Sequence, residues 1–454
     1  MTRAAAASAA VERLSREAVT LDDLLENGQG VGRIDGLVVF VTGGLPGETA
    51  RVAVDSVKRN YISAHVVSIE KASPQRVASI CPVFPMCGGC QVLHLGYDAQ
   101  LMWKRRMVMD ALTRLGGLTG SPVDDVVPTP ADVGVRYRNK VGLVTRFHAG
   151  EMQLGFYASR THRVVRIERC PVLLPRLDAA VQALVGLAKD VPQPFSAAKH
   201  IVARASATGD DLVISFNGEK PNKALGGIAQ ELRHRIPALT GLCNTWEPEN
   251  ENAQFGSRFA TIWGAPTLHE TVAGAQLRFG ITSFFQINTA VLELIAQRLL
   301  AELAGARRVV DLYCGVGTFA VILGMHGVAS TGVEWFKPAA DECAANAAAN
   351  GVVNAAFEHA SALEAVSGER GRTLLAGADA VILDPPRKGC EPLVLAAIAR
   401  HAVRRIVYVS CNPATLARDA KMLVEAGYRI DRVTPYDMFP QTGHVEVVTI
   451  FSKT

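Results

Sequence analysis

The sequence predicts an α/β protein with a doubly wound, Rossmann-like domain at its C-terminal end, an α+β central part and a small N-terminal β-barrel. From Arg308 to Lys453, apolar strand-like segments such as RVVDLY and AVILDPP alternate with helical segments rich in Ala and Leu. That alternation is typical of a parallel sheet with right-handed crossovers. Between Val19 and Val77, short alternating strands separated by glycine turns predict the barrel. The intervening stretch mixes strand-like and helical pieces, which favours an α+β arrangement.

Length and composition agree with several domains. A chain of 454 residues suggests about three domains, and we place the boundaries after residues 15, 77 and 282. Residues 1–15 are rich in Ala and lack the apolar segment of a signal peptide, so we expect a flexible tail. Residues 97–115 predict a helix whose apolar stripe, with Trp103 and Leu112, suits packing on the C-terminal domain. No run approaches the roughly 18 apolar residues of a membrane helix.

Positive charge is concentrated in one stretch of the chain. The net charge is only +4, but Leu101 to Cys170 contains twelve Lys or Arg residues and six acids. Lys104, Arg105 and Arg106 lie within the predicted helix. We therefore expect a basic surface that attracts phosphate groups, although isolated arginines more often belong to a solvated face.

A glycine turn follows the first strand of the predicted doubly wound sheet. The strand ends at Asp311, the turn contains Gly315 and Gly317, and Glu334 closes the second strand about 23 residues after Asp311. A carboxylate at that position can accept hydrogen bonds from both ribose hydroxyls. The turn lacks the third glycine of a dinucleotide fingerprint, so an adenosyl group is favoured over a nicotinamide. The fourth strand ends in the rigid turn Asp384-Pro-Pro-Arg.

Two residues near the C-terminus form a candidate catalytic pair. Cys411 follows an apolar strand and precedes a helix that begins Asn-Pro, so its thiol is expected at a helix N-terminus. Such thiols can have pKa values lowered to about 3.5–7.5. Glu446 lies in an alternating strand, where a solvated carboxylate is the ordinary interpretation. Together a thiolate and a carboxylate suffice for covalent addition to a uracil ring followed by removal of a ring proton.

Five spaced motifs carry a family resemblance. FFQIN at Phe284–Asn288, DLYCGVGTF, DPPRKG, VSCNPATLARD and GHVEVV occur in that order. Nearly the whole chain resembles the RNA uracil-5-methyltransferases, which have a class I methyltransferase domain and use S-adenosylmethionine. The resemblance implies that Cys411 is the nucleophile and Glu446 the proton acceptor. It implies these cofactor-binding positions: Gln286, Tyr313, Thr318, Glu334, Ser361 and Asp384.

Four of the nine cysteines have the spacing of metal ligands. Cys81, Cys87 and Cys90 are followed at a distance by Cys170. Four thiolates could hold zinc or an iron–sulfur cluster, and a three-plus-one arrangement suits a cubane cluster better. The pattern resembles the 4Fe-4S subgroup of the same family, which modifies 23S ribosomal RNA, whereas the transfer-RNA members typically lack it. The other cysteines outside the catalytic motif show no ligand spacing: Cys243, Cys314, Cys343 and Cys390. Cys314, within the glycine turn, is expected to be a small packing residue.

The N-terminal barrel, residues 16–77, resembles the TRAM domain of RNA-modifying enzymes. Lys58, Arg59 and Tyr61 offer two charges and a stacking ring, which single-stranded RNA binding requires. We expect a cytoplasmic monomer that binds RNA, with neither DNA nor a membrane as a partner.

Three alternative functions remain open. One is a transfer-RNA uracil methyltransferase, which the four cysteines disfavour. A second is a cytosine-5 RNA methyltransferase, but that motif would place a cysteine directly after the Asp-x-Pro turn, where this chain has Arg387. The third is a redox-sensing RNA-binding protein that has lost catalysis.

Overall fold

The chain divides into two units. The computed structural model describes residues 10–130, 134–159, 161–250 and 253–454. The first unit comprises the described residues of 1–104, 157–165 and 439–444, and the second comprises those of 105–156, 166–438 and 445–454. The expected central and C-terminal domains therefore fall largely into one unit.

The first unit contains a closed five-stranded barrel with strand order β1-β2-β3-β5-β4. Its strands are β1 (Val19–Leu24), β2 (Gln29–Ile34), β3 (Leu37–Thr42), β4 (Thr49–Val57) and β5 (Tyr61–Lys71). Glycine turns let the short strands reverse direction, and Leu21, Val39, Val41, Ile62 and Ala64 fill the interior. The predicted N-terminal barrel is confirmed.

The last residues of the expected N-terminal tail are helical. Residues 10–14 are helical, and Ala10 and Leu14 are buried with the barrel core. Two apolar side chains four positions apart lie on one helix face, which explains why this part of the expected tail packs. Residues 1–9 lie outside the described residues.

Helix α1 (Tyr97–Asp110) and the π-helical turn Ala111–Leu115 follow the barrel and the cysteine-rich segment. In the first unit, the Trp103 indole N–H donates to the Leu24 carbonyl (3.1 Å). In the second unit, Val108 and Leu112 are buried in the same apolar core as the C-terminal sheet.

The predicted basic surface is only partly a surface. Lys104 is fully buried and donates to the Phe439 carbonyl (2.9 Å). Arg105 donates to the carbonyls of Val123 (2.8 Å) and Asp124 (3.1 Å). Lys104 and Arg105 therefore bind backbone carbonyl groups and do not form a phosphate-binding surface. This corrects the expectation, based on the charge count, that they belong to a basic surface. Arg160 and Asp132, both in that count, lie outside the described residues.

A mixed sheet forms the central part, with strand order β12-β11-β10-β9-β6-β7-β8. Its strands are β6 (Lys140–His148), β7 (Glu151–Tyr157), β8 (Val164–Arg166), β9 (His200–Ala205), β10 (Leu212–Gly218), β11 (Gly241–Trp246) and β12 (Arg258–Gly264). The helices of this part are α2 (Pro175–Asp190), α3 (Pro192–Ser196) and α4 (Leu225–Arg235). The antiparallel pair β13 (Thr267–Val272) and β14 (Ala275–Gly280) follows.

The C-terminal sheet has seven strands in the order β17-β16-β15-β18-β19-β21-β20. The strands are β15 (Arg308–Leu312), β16 (Ala329–Glu334), β17 (Ala355–His359), β18 (Ala380–Leu383), β19 (Arg405–Ser410), β20 (Tyr428–Tyr436) and β21 (Glu446–Lys453). The first five strands of that order are parallel, whereas β21 is antiparallel to both of its neighbours. The predicted doubly wound α/β domain is confirmed.

Helices connect these strands: α5 (Thr289–Glu302), α6 (Thr318–Met325), α7 (Lys337–Ala349), α8 (Ala362–Val366), α9 (Gly368–Leu375), α10 (Pro392–Arg400) and α11 (Pro413–Glu425). The chain leaves β15 for β16 on one side and later returns to β18 on the other. This reversal opens a crevice beyond the carboxyl ends of the strands, where α/β sheets bind ligands.

Candidate active site

Cys411 lies in the connection between β19 and α11. The preceding strand is almost entirely buried, and Asn412 caps the helix by accepting from the Ala414 N–H (3.0 Å). Pro413 occupies the first helical turn, where its missing N–H costs nothing. The strand end and the cap therefore fix the position of the half-buried thiol.

The turn after β18 is tied to the same connection. The Arg387 carbonyl accepts from the Asn412 side-chain amide (3.1 Å) and from the Thr415 hydroxyl (3.3 Å). Below it, the buried Asp419 carboxylate accepts from the Tyr408 hydroxyl (2.6 Å) and the Cys390 N–H (2.8 Å). The Asp384-Pro-Pro-Arg turn and the Cys411 loop thus form one hydrogen-bonded assembly. Asp419 is the last residue of the VSCNPATLARD motif, but its structural role was not predicted.

Glu446 is the first residue of β21, and its side chain is interior. It is 1% exposed, and six consecutive residues of the strand from Glu446 onward are buried. Among the described residues, its Oε1 atom has no hydrogen-bond partner. Burial, followed by the nearby charge of Asp384, raises the pKa of Glu446 well above its usual range. The ordinary interpretation of a solvated carboxylate therefore does not hold, because both faces of β21 are buried from Glu446 onward.

The Cys411 thiol does not have the lowered pKa expected at a helix N-terminus. Burial raises its pKa to about 11, and the charges of Glu446 and Asp384 act in the same direction, while Arg387 opposes them. Two nearby carboxylates and lost hydration outweigh the helix dipole, which is worth typically about 0.3–1 kcal/mol. At neutral pH the thiol is protonated, so its proton must be removed before it can attack.

The glycine turn after β15 is fastened to the end of β16. The Glu334 carboxylate accepts from the Gly315 N–H (3.0 Å) and from the Phe336 N–H (2.7 Å). Tyr313, Gly315 and Gly317 all have positive φ, and a Cβ at Gly317 would meet Phe357 at 3.1 Å. Burial raises the pKa of Glu334 against the lowering effect of these backbone hydrogen bonds. The carboxylate is thus oriented at the mouth of the turn, as an adenosyl site requires.

The remaining predicted cofactor residues are placed as follows. Thr318 begins α6 directly after the turn. Gln286 is 9% exposed, and Asn139 holds its carbonyl (3.0 Å). Asn139 was not singled out in the sequence, because an isolated Asn carries no motif.

Ser361 has a structural explanation of its own. It is the N-cap of α8, and its hydroxyl accepts from the Glu364 N–H (3.2 Å) while donating to the Glu364 carboxylate (2.8 Å). This reciprocal capping box satisfies the helix start. The hydroxyl is thus already engaged, although Ser361 does lie just beyond β17, beside the strand that ends in Glu334.

Buried carboxyl groups link the cofactor turn to the catalytic pair. Asp311 is fully buried; within the described ranges neither of its carboxyl oxygens accepts a hydrogen bond of good geometry, although the Ala320 N–H is close enough to act against the rise of its pKa. Burial, followed by the charges of Asp384 and Glu334, raises the pKa of Asp311 well above its usual range. Burial also raises the pKa of Asp384 to about 7. Because Asp384 also acts on Cys411 and Glu446, the two halves of the site form one electrostatic cluster.

Comparison with known proteins decides the family. The sequence model for tRNA (Uracil-5-)-methyltransferase matches residues 270–454, and that of the TRAM domain matches residues 11–67. An uncharacterized RNA methyltransferase of Listeria innocua is 34% identical over 448 residues, covering 96% of this chain and 97% of its own. Another, from Gloeobacter violaceus, is 37% identical over 453 residues and 96% of each chain. This chain belongs to the RNA uracil-5-methyltransferase family.

One solved structure resembles the methyltransferase along nearly its whole length. The crystal structure of Pyrococcus abyssi tRNA (uracil-54, C5)-methyltransferase in complex with S-adenosyl-L-homocysteine matches with a TM-score of 0.75 and 27% sequence identity. The match covers 96% of this chain and 100% of the Pyrococcus chain. The resemblance stated from the motifs is thus confirmed for the enzyme class, for the TRAM domain and for S-adenosylmethionine as the cofactor.

The four cysteines with metal-ligand spacing are half-buried. Cys81, Cys87 and Cys90 belong to the first unit of the methyltransferase, and Cys170 belongs to the second. The Cys87 thiol accepts from the Gly89 N–H (3.4 Å), and the Cys170 N–H donates to Asp178 (2.6 Å). Over residues 10–130, 134–159, 161–250 and 253–454, no three His, Cys, Asp or Glu side chains are grouped so that they could hold a metal ion.

The other cysteines are interior. Cys243, Cys314, Cys343 and Cys390 are buried, which for Cys314 agrees with the expected packing role. Burial raises the pKa of Cys390 to about 12. Within the described part of the methyltransferase, every helix is too short or too polar to cross a membrane.

Proposed function

We propose that this protein methylates carbon 5 of a uridine in 23S ribosomal RNA, in the cytoplasm, through a covalent adduct between Cys411 and carbon 6 of the ring. One observation carries the proposal: Cys411, the buried Glu446 and Asp384 act on one another electrostatically next to the cofactor turn. A nucleophile and a strong base beside a methyl-donor site are what this reaction needs.

The thiol must first lose its proton. Since its pKa is raised to about 11, we assign that proton to the Asp384 carboxylate, which accepts it as the thiol sulfur bonds to carbon 6 and leaves Glu446 available for the later proton from carbon 5. The electrons of the carbon 5–carbon 6 double bond move toward the carbonyl at carbon 4, which makes carbon 5 nucleophilic. Arg387 opposes the carboxylates electrostatically and so favours the thiolate.

Bound S-adenosylmethionine would supply an electrophilic methyl group to carbon 5. The chain fits this cofactor, because Glu334 is oriented for ribose hydroxyls by two backbone amides. The buried Asp311 carboxyl, whose oxygens accept no hydrogen bond of good geometry among the described residues, suits the amino group of the methionine part. Gln286, Tyr313, Thr318 and Asp384 complete the proposed binding set, while Ser361 would contribute from the edge of the site.

Glu446 completes the proposed cycle. It takes the proton from carbon 5, the electrons of that carbon–hydrogen bond restore the ring double bond, and the Cys411 sulfur leaves as a thiolate. A carboxylate whose burial raises its pKa well above the usual range is a stronger base than an exposed one. Its lack of a hydrogen-bond partner at Oε1 within the described ranges leaves that atom available to accept the proton.

The choice of RNA is tested by mapping 5-methyluridine. Ribosomal and transfer RNA from a deletion strain would be incubated with the purified protein and the cofactor, and we expect new 5-methyluridine in 23S RNA. The second candidate is transfer RNA, which the likeness to the Pyrococcus transfer-RNA enzyme favours. Methylation of transfer RNA alone would show that transfer RNA, and not 23S RNA, is the substrate. Methylation of neither RNA would favour a redox-sensing binding protein.

The four thiols are proposed as ligands of a 4Fe-4S cluster. Their donor chemistry fits iron–sulfur, and their sequence spacing is three-plus-one. Because no three of the thiols are grouped around one point within the described part of the chain, we assign the cluster no catalytic step.

Anaerobically purified protein should be brown and contain about four irons per chain. Cys87→Ser should lose the colour and most of the iron, because a cubane requires its thiolate ligands. The matched control is Cys243→Ser, since the buried Cys243 thiol lies 3.7 Å from the Ile214 carbonyl and has no ligand spacing. It should keep its iron. Colourless wild-type protein with one tightly bound zinc would show that the site is a zinc site.

A further inference from the structure

A cleft in the first unit is lined by none of the residues assigned to the methyl-transfer reaction. Its volume is about 550 Å³, and its walls include His65, Arg76, Ser79, Phe84, Pro85 and His94. This volume is within the range of about 300–1,000 Å³ that is usual for small-ligand sites. Val77 also lines the cleft; Val77, together with Ile80 and Met86 beside wall residues in the chain, is about half exposed. The rings of His65, Phe84 and His94 and the exposed apolar side chains give this region the character of a surface that binds flat rings.

His94 is the unusual member of the wall. His94 is 3% exposed, and neither of its ring nitrogens has a hydrogen-bond partner among the described residues. Burial, followed by the charge of Arg76, lowers the pKa of His94 to about 4. The ring is therefore neutral at physiological pH and carries one donor and one acceptor. A buried polar ring without hydrogen-bond partners is rare and destabilising. A polar ligand in the cleft could form hydrogen bonds with the two ring nitrogens of His94.

Phe84 provides a second ring. Its centroid lies 5.0 Å from that of His94, with the planes tilted by 40°. Base–aromatic stacking tolerates any base, and a donor–acceptor pair beside the stack matches the edge of a nucleobase.

Charge at the cleft is largely balanced. Arg76 pairs with the fully buried Glu48 (2.6 Å) and donates to the Gly43 carbonyl (2.7 Å), while the His65 ring is hydrogen-bonded to Asp55 (2.7 Å). The affinity of this cleft for a nucleotide must therefore come mainly from contacts with the base and less from contacts with the phosphate.

We propose that this cleft binds one nucleotide of single-stranded RNA, with its base against Phe84 and His94 and its phosphate at the outer edge of Arg76. The proposal rests on the proposed function, because RNA is the substrate that brings single-stranded nucleotides to this barrel. The cleft would hold a nucleotide other than the one being methylated and so contribute to substrate choice.

The test uses His94→Phe, which keeps an aromatic ring and removes the unpartnered nitrogens. We expect the variant to melt at the same temperature as the wild type or higher. Its affinity for a short fluorescein-labelled single-stranded RNA should fall roughly 5- to 30-fold, the worth of one or two hydrogen bonds. The log–log salt dependence should stay unchanged, because no phosphate contact is removed. Phe84→Ala should weaken binding by roughly tenfold or more through lost stacking.

The matched control is His234→Phe, an exposed histidine on α4 in the second unit. It should leave RNA affinity unaltered. Wild-type affinity in His94→Phe would overturn the proposal, and so would weaker binding accompanied by a lower melting temperature, which indicates a structural role. Adenosine and uridine monophosphates are titrated in parallel. Loss of their binding in His94→Phe with unchanged RNA affinity would assign the cleft to a free nucleotide and overturn the RNA proposal.

Methyl transfer separates this proposal from the proposed function. At saturating RNA, His94→Phe should keep the wild-type turnover rate, with only KM for RNA raised. If the wild type transfers no methyl group to any RNA, the proposed function fails, while the binding measurements still decide the role of the cleft.

Discussion

Cys411→Ala should abolish 5-methyluridine formation, with a loss on the order of 10⁴-fold or more, and leave cofactor binding within a few-fold. Only a sulfur at position 411 can form the proposed bond to carbon 6. The cofactor turn and Glu334 are held by backbone hydrogen bonds that do not involve this side chain. Radioactive methyl transfer measures the first quantity, and calorimetric titration of S-adenosylhomocysteine measures the second.

Trapping identifies the atom that attacks. RNA containing 5-fluorouridine should form a stable covalent complex with the wild type, because fluorine cannot leave as a proton does. Cys411→Ala should form none. Cys390→Ser is the informative control, because Cys390 is the cysteine nearest in sequence to the Asp-Pro-Pro turn. Its buried thiol, whose pKa is raised to about 12, should be dispensable. A mapped adduct on Cys390 or Cys314 would refute the assignment.

The order of elements in the C-terminal sheet could be predicted because its determinants are local. Buried strands are continuous apolar runs, glycine turns need positive φ at Gly315 and Gly317, and helix starts have caps such as Asn412. Motif spacing then placed Cys411, Glu334 and Asp384 at the carboxyl ends of their strands. Each of these features depends on a few neighbouring residues.

The electrostatics of the site could not be predicted in the same way. The pKa of Cys411 depends on Glu446 and Asp384, which the fold brings together from distant parts of the sequence. Alternation in β21 suggested a solvated Glu446, but the strand lies between β19 and β20 and is buried on both faces. Likewise, the charge count could not show that Arg106 is exposed whereas Lys104 is buried and donates to a backbone carbonyl.

The proton-abstraction step is tested by Glu446→Gln, which should accumulate a methylated covalent complex. Glutamine keeps the shape of the side chain but cannot accept the carbon 5 proton, so release of Cys411 should fail. Addition should not be impaired. Because the charge of Glu446 raises the pKa of the Cys411 thiol, removing that charge makes the thiolate easier to form.

We expect turnover of Glu446→Gln to fall by about 10²–10⁴-fold, the usual worth of general acid–base catalysis. Meanwhile the first equivalent of methyl group should still reach the RNA. Denaturing gels with labelled cofactor and unmodified RNA would show a protein–RNA band that carries the methyl label and contains Cys411. Glu425→Gln, an exposed change on α11, controls for the loss of one acidic charge and should behave as wild type.

Near wild-type turnover in Glu446→Gln would mean that another group removes the proton. Asp384 is the first candidate, because its charge acts on Glu446. An unmethylated adduct alone would instead place Glu446 before methyl transfer, because the ring would then be held without ever receiving its methyl group.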